Sequence, residues 1–274
     1  MKKVTFFCVN YNSYDFTERF LHSLDCAAMQ VPDVDVEVCI GDNTTENWKE
    51  LDMQNYPHVQ VQFFPYHQNL GYLGCILRMM ADRNWADATN SDFVVFSNVD
   101  LTIDSQYFVE LQRAHLPEDV AWVAPDVYTP RLNRHDNPFM MTRPTQMSFI
   151  KWELMYACPF LFGLLEKIYD RKTSQRQNPS SILPIYAGHG SIMMFTGAFL
   201  SRHINLQFPS FMYAEEIYMA ELVRSDGLKA YYVPMLRVEN VGEASTGLLG
   251  NRWRCSQKIK SLRIIKKIFD FRNE

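Results

Sequence analysis

The sequence predicts an α/β protein with a mostly parallel, Rossmann-like central sheet, helices on both faces and a helical appendage at the carboxyl terminus. Three observations lead there. Apolar runs of strand length alternate with amphipathic stretches of helical period across the first hundred residues. Most of those runs are near-continuous, the pattern of strands covered on both faces. Each ends in a polar cluster, and in an open parallel sheet such ends share the edge at which ligands bind.

Taken in order, strands are expected over 4–9, in the alternating segment 34–40, over 59–64 and over 93–97. A helix over 14–28 places Phe16, Phe20, Leu21 and Leu24 on one face behind Asn12-Ser13, which can cap it. A second over 72–85 places Leu73, Ile76, Leu77 and Met80 similarly. Residues 127–183 break the rhythm, with prolines at 130, 138, 144, 159 and 179 around the apolar stretch 154–165. Those twelve residues, with Pro159 inside, are too few to span a bilayer. A buried helix is the first reading of the stretch and a surface that meets lipid the second. The sheet pattern resumes over 191–200 and 230–234.

At 274 residues, with 47% hydrophobic and 14% aromatic content, the chain can bury a full core, which excludes disorder over most of its length. Six cysteines are scattered singly with no CxxC pair, so they read as reduced core thiols and not as a disulfide or zinc framework. The amino terminus passes straight into a strand pattern, without the apolar core of a secretory signal. No run reaches the ~18 apolar residues of a membrane-spanning helix. A cytoplasmic location is expected, extending to peripheral association with the inner face of a plasma membrane. Net charge is −4, but residues 251–274 hold eight basic and two acidic side chains, a net of +6 against −10 for the remainder. Nucleic acid is not an expected partner, because the body is acidic and no stacking platform accompanies the basic tail.

Four polar clusters follow the first four strands: Asn10-Tyr11-Asn12, Gly41-Asp42-Asn43-Thr44, His67-Gln68-Asn69-Leu70-Gly71 and Asn98-Val99-Asp100. Each alone is also ordinary turn chemistry. Together on one sheet edge they suit a nucleotide: Tyr11 can stack on a base and Asp42 can accept from a ring N–H. Asp100, at the tip of a buried strand, is a candidate ligand for Mg²⁺ or Mn²⁺, which take one or two carboxylates and let phosphates complete the shell. There is no G-x-x-x-x-G-K-[ST] loop, and residues 69–74 do not form G-x-G-x-x-G after a first strand, so kinase-like and dehydrogenase readings fall away.

These residues resemble the inverting family 2 glycosyltransferases of the GT-A fold, particularly bacterial members of rhamnosyltransferase-like type that build surface polysaccharides such as lipopolysaccharide and capsule. Val9-Asn10-Tyr11-Asn12 looks like the family's first-strand tip, and Asp42-Asn43-Thr44-Thr45 like its DNxS element. Asn69-Leu70-Gly71-Tyr72 is similar to NxGF, and Asn98-Val99-Asp100 to the NPD variant of the DxD metal motif. Tyr186-Ala187-Gly188-His189-Gly190-Ser191 looks like the segment under the acceptor site. Phe211-Met212-Tyr213-Ala214-Glu215-Glu216 resembles FxYxED, and Val238-Glu239-Asn240 before Ala244-Ser245-Thr246-Gly247 resembles VxH followed by an ST motif. The order of six weak motifs over residues 3–250 makes the resemblance specific.

The resemblance implies donor contacts from Asn10, Tyr11, Asn12, Asp42, Asn43, Asn69, Gly71 and Asn98, and acceptor contacts from His189, Gly190 and Ser191. It implies a metal at Asp100, Asn98 and Asn240, and a base at Glu216 with Glu215 as second choice. Asn240 stands where the family commonly places a histidine, which weakens metal affinity. Arg252 and Arg254, just after the ST motif, can reach the donor diphosphate.

A GT-A domain is therefore expected over 1–250, with a nucleotide-sugar half (1–104), an acceptor half (105–250) and a basic amphipathic tail over 251–274. The tail has three readings: a helix on an anionic membrane surface, a diphosphate contact, or a helix docked on the body with a solvated charged face. The expected partners are a nucleotide-sugar donor and a glycan or lipid-linked acceptor, with an anionic membrane surface as a third. Two alternatives stand beside this: a nucleotidyltransferase, and a degenerate GT-A domain that binds nucleotide without catalysis.

Overall fold

The computed structural model describes residues 2–49, 51, 55–173, 178–242 and 250–271, the side chains of 167–173 excepted. The strands are β1 (Lys2–Asn10), β2 (Val34–Asp42), β3 (Gln60–Pro65), β4 (Phe93–Asn98), β5 (Leu101–Ile103), β6 (Val120–Thr129), β7 (Arg134–His135), β8 (Leu183–Ile185), β9 (Ile192–Thr196) and β10 (Lys229–Asn240). The helices are α1 (Tyr14–Met29), α2 (Tyr72–Asp82), α3 (Trp85–Thr89), α4 (Tyr107–Arg113), α5 (Gln146–Ala157), α6 (Pro159–Thr173), α7 (Gly197–Leu200), α8 (Glu215–Ser225) and α9 (Asn251–Ile268).

One sheet runs in the order β3-β2-β1-β4-β9-β6-β10-β5, with β7 beside β6 and β8 beside β10. The first four of these strands are mutually parallel, and β6 and β10 are parallel to each other. Strand β9 is inserted antiparallel between β4 and β6. The buried run of β1 explains the layering. Phe6 packs on one face with Phe20 of α1 and Phe108 of α4, while Phe7 on the other joins Leu73 and Ile76 of α2. Covering each fully buried side chain of this size contributes about 1.5–3 kcal/mol, so neither helical layer can be dispensed with.

Four expectations are corrected here. The strand pattern over 191–200 divides into β9 and the short helix α7, where Thr196 caps by accepting from the Phe199 N–H. Strand β6 was not anticipated, and because it runs through residue 127 the excursion from the sheet begins only after Thr129. Ser13 occupies the N-cap of α1 but makes no side-chain cap bond; its hydroxyl donates to the Tyr11 carbonyl instead. The apolar stretch 154–165 is not one buried helix. It straddles the break at Cys158 between α5 and α6, whose axes bend by 109°, and Leu154 and Phe160 are 68% and 85% exposed.

The tail follows the docked-helix reading. Leu262 and Ile265 of α9 are buried against the body, so most of the apolar face read as membrane-directed is covered by protein.

Candidate active site

The sheet register aligns the four expected tips. Asn10 lies opposite Asp42, Val9 opposite Asn98, and Asp42 opposite Pro65. Asp42 is fully buried: one carboxylate oxygen accepts from Asn10 Nδ2 at 2.8 Å and Thr44 N at 3.0 Å, and the other from the Tyr14 hydroxyl at 2.7 Å. It therefore fastens the tips of β1 and β2 together and presents no surface to a base. Asn10, also buried, accepts from Ser13 N and Thr17 Oγ1 and so holds the first turn of α1. The accessible surface of this tip belongs to half-buried Tyr11 and exposed Asn12.

Asn43 Nδ2 donates to the Gly71 carbonyl at 2.9 Å, and Asn69 accepts from the Gly71 N–H at 3.1 Å. Gly71 has φ +75°, and a Cβ there would collide with the Phe211 carbonyl; both features require glycine. That contact packs the third tip against the loop that enters α8.

Asn98, Asp100 and Asn240 are brought to adjacent strand ends. The Asn98 N–H donates to the Ser191 carbonyl at 2.8 Å, the Val241 N–H donates to the Asp100 carbonyl at 3.0 Å, and Asn240 pairs with Leu101. The Asn240 amide oxygen accepts from the Gly242 N–H at 3.2 Å. Among the described residues no three His, Cys, Asp or Glu side chains converge on a metal-sized site. The donor set is one carboxylate with amide oxygens, which fits only a hard cation that keeps water or phosphate oxygens in its shell. The ST motif, residues 244–247, lies outside the described residues.

The loop before α8 is strained. Tyr213 and Ala214 take φ +69° and +67°, left-handed values that cost non-glycine residues on the order of 1–3 kcal/mol each and cluster at functional sites. Their turn delivers Glu215 and Glu216 as the first residues of α8, where the helix dipole favours anions. That accounts for acids at this position but not for burying one of them. Glu215 is buried, accepts from the Tyr213 N–H at 2.9 Å, and has its carboxyl pushed up to about 8, first by burial and then by the charge of Glu216. Glu216 is half-buried beside Gly190, where a Cβ would strike its carboxylate.

The Tyr72 hydroxyl, on the first residue of α2, feels the charges of both this loop and the Asp100 tip. It is buried with no hydrogen-bond partner, and its ionisation is pushed far up, first by burial and then by Cys8, Glu215, Glu216 and Asp100. Asn43 Oδ1 is also buried without a protein partner, and the Tyr213 hydroxyl is buried beside Arg254. Tyr107 and Trp122 have comparable unpaired atoms within the core.

His189 donates its backbone N–H to Asn137 at 2.8 Å, and its Nδ1 lies 2.9 Å from Ser191 Oγ, which holds the proposed acceptor segment rigid. Arg254 lies beside the Tyr213 hydroxyl. It pairs with Glu166 of α6 at 2.8 Å, and Arg252 is exposed. Lys258, expected only as part of the basic tail, has its Nζ 4.4 Å from the Tyr213 ring and 5.5 Å from the Tyr156 ring. Burial lowers its pKa, while the charges of Glu216, Glu166 and Glu215 oppose that, so α9 contributes a cation to the acidic pair. Ser261 Oγ donates to the Met212 carbonyl, a second brace from α9 to the same loop.

Neither family models nor curated proteins match this chain. Among solved structures it is similar to GalNAc-T7 determined with UDP, GalNAc and Mn²⁺, with a TM-score of 0.58 at 11% identity over 98% of this chain. The chain spans 49% of that protein's length. The fold is therefore GT-A, the α/β architecture of glycosyltransferases.

Proposed function

We propose that the chain is an inverting glycosyltransferase that moves a sugar from a nucleoside-diphosphate sugar to a hydroxyl of a glycan or lipid-linked acceptor, in bacterial surface polysaccharide synthesis. The observation that carries this is the Tyr72 hydroxyl, unpaired and buried under the influence of Glu215, Glu216 and Asp100. In this reading the acidic pair and the expected phosphate-side carboxylate share one space at the ligand-binding edge.

In this reading the acceptor oxygen attacks the anomeric carbon. The bond from that carbon to the diphosphate oxygen breaks, its electron pair leaves with the nucleoside diphosphate, and the acceptor proton passes to Glu216. General-base assistance of this kind typically contributes ~10²–10⁴-fold. Glu215 remains protonated below about pH 8 and fixes the loop through Tyr213. Asp100, with Asn98 and Asn240, would hold Mg²⁺ or Mn²⁺. Such an ion, when bound, supplies positive charge to the leaving diphosphate. The similarity of fold to a protein solved with UDP and Mn²⁺ makes uridine diphosphate the first nucleotide to try.

Release of nucleoside diphosphate from a panel of nucleotide sugars, to water or to added glycans, tests the reading. Turnover that Glu216→Gln abolishes while nucleotide binding persists supports it. Turnover that survives both Glu216→Gln and Glu215→Gln contradicts it.

A further inference from the structure

We propose that the α5–α6 hairpin seats the protein on an anionic lipid bilayer, its apolar face entering the interfacial region while the basic charge of α5 and α9 meets the headgroups. The inference does not rest on the transferase reading. Met147, Ile150 and Leu154 on α5 and Phe160, Leu161 and Leu164 on α6 are all exposed, on both sides of the break at Cys158. The spacing of three to four residues within each helix makes these stripes and not scattered side chains. Monomeric proteins in water rarely leave such apolar surface uncovered without an interaction to serve.

The helix packed against both, α9, is already used. Helix α9 packs its own apolar side inward and is tied to the hairpin by Arg254–Glu166 at 2.8 Å and Arg263–Glu153 at 3.0 Å. The sequence pattern offered both α9 and the stretch 154–165 as lipid-facing; in the fold the exposed apolar face is that of α5–α6, and α9 is its basic backing.

Charge selects the occupant. Lys151 of α5 and Arg252, Lys260 and Lys267 of α9 are exposed, and α9 holds seven Lys or Arg and no Asp or Glu in a chain whose total is −4. A second copy docking through the same face would set two such units against each other. An anionic headgroup layer is complementary to it, with each basic residue near the surface raising the partition constant about fivefold. The geometry is that of an interfacial element. A 12-residue helix such as α5 is about 18 Å long, short of the ~30 Å hydrocarbon core, and the 109° bend prevents α5 and α6 from forming one straight span.

The test is co-sedimentation of the full chain with phosphatidylcholine vesicles, with and without phosphatidylglycerol, using Phe160→Ser/Leu164→Ser and Lys260→Glu/Lys267→Glu variants. All four side chains are exposed, so unchanged melting temperatures are expected and confirm intact folds. The expected result is binding to phosphatidylglycerol vesicles that weakens with salt. The apolar variant should lower the partition constant at least ~10-fold, and the charge variant should lower it ~10-fold or more on anionic vesicles only. Absence of vesicle binding, or binding that the apolar variant leaves unchanged, overturns the proposal. So does a concentration-dependent dimer that the apolar variant dissociates in the absence of vesicle binding, which would assign the face to a second copy.

Discussion

The carboxylate of Glu216 occupies the space that a side chain at Gly190 would fill. A Cβ at residue 190 would press on Oε1 and lie 2.9 Å from Cδ and 3.2 Å from Cγ. Gly190 is thus required by the position of the proposed base and not by its own backbone conformation. Gly190→Ala is expected to displace the carboxylate, which can swing on its flexible stem, and to reduce kcat by ~10²-fold with little change in melting temperature. A large loss of stability with normal kcat in the folded fraction would show that Gly190 serves packing alone.

Glu215 makes stability depend on pH in a direction opposite to that of a salt-bridged acid. Its folded-state pKa, about 8, stands above the 4.5 of the free side chain, so the folded protein binds the extra proton. The stabilisation is fully present below about 4.5 and is lost as pH rises through about 8. Unfolding free energy should fall across that window by at most about 1.4 kcal/mol per pH unit, and Glu215→Gln should flatten the slope. Urea denaturation from pH 5 to 8.5 measures this directly.

Lys258 supplies positive charge that holds Glu215 below where burial and Glu216 alone would put it. Removing that charge raises the pH at which Glu215 ionises. Lys258→Met should move the acidic limb of the kcat/KM profile to higher pH, whereas a purely structural role would lower activity equally at every pH.

Glu221 is 2% exposed and bound bidentately by Arg143, with both contacts at 2.8 Å, and it also accepts from the Tyr186 hydroxyl at 2.9 Å. Burial would raise the Glu221 pKa, but Arg143 and Tyr186 outweigh it and hold the carboxyl below its usual range. Arg143 also donates to the Asp270 carbonyl, so one side chain joins α8 to the segment after α9. Arg143→Ala should cost about 3–5 kcal/mol in denaturant unfolding, the range for a buried pair broken from one side.

The tips of β1, β2 and β4 were legible because a buried strand ending in Asn or Asp is a local pattern, and parallel pairing then aligns such ends without further information. Asp42 was legible as a tip residue but not in its role, because its occupation by Asn10, Tyr14 and Thr44 is a matter of three separate segments. Strand β6 was hidden because Pro125 and Asp126 interrupt its apolar run; in the fold Asp126 is satisfied by His135 and Asn178 at 2.8 Å each. The stretch 154–165 and the tail were left with competing readings for a common reason. Apolar periodicity reports that a face seeks cover but not which neighbour provides it, and α9 took the core while α5–α6 kept the exposed face. Lys258 carries no local signal, since a lysine on a basic helix is ordinarily solvated.

A thermal-shift series with UDP, GDP, dTDP and CDP, each with and without Mn²⁺, on the unaltered chain and on Asp100→Ala, tests the central claim most directly. A nucleotide at ~100 times its dissociation constant stabilises by about 2.7 kcal/mol, which for a domain of this size raises the melting temperature by several degrees. The account predicts that one nucleoside diphosphate does so with Mn²⁺, and that Asp100→Ala abolishes the shift. No response to any nucleotide, with or without metal, would contradict it.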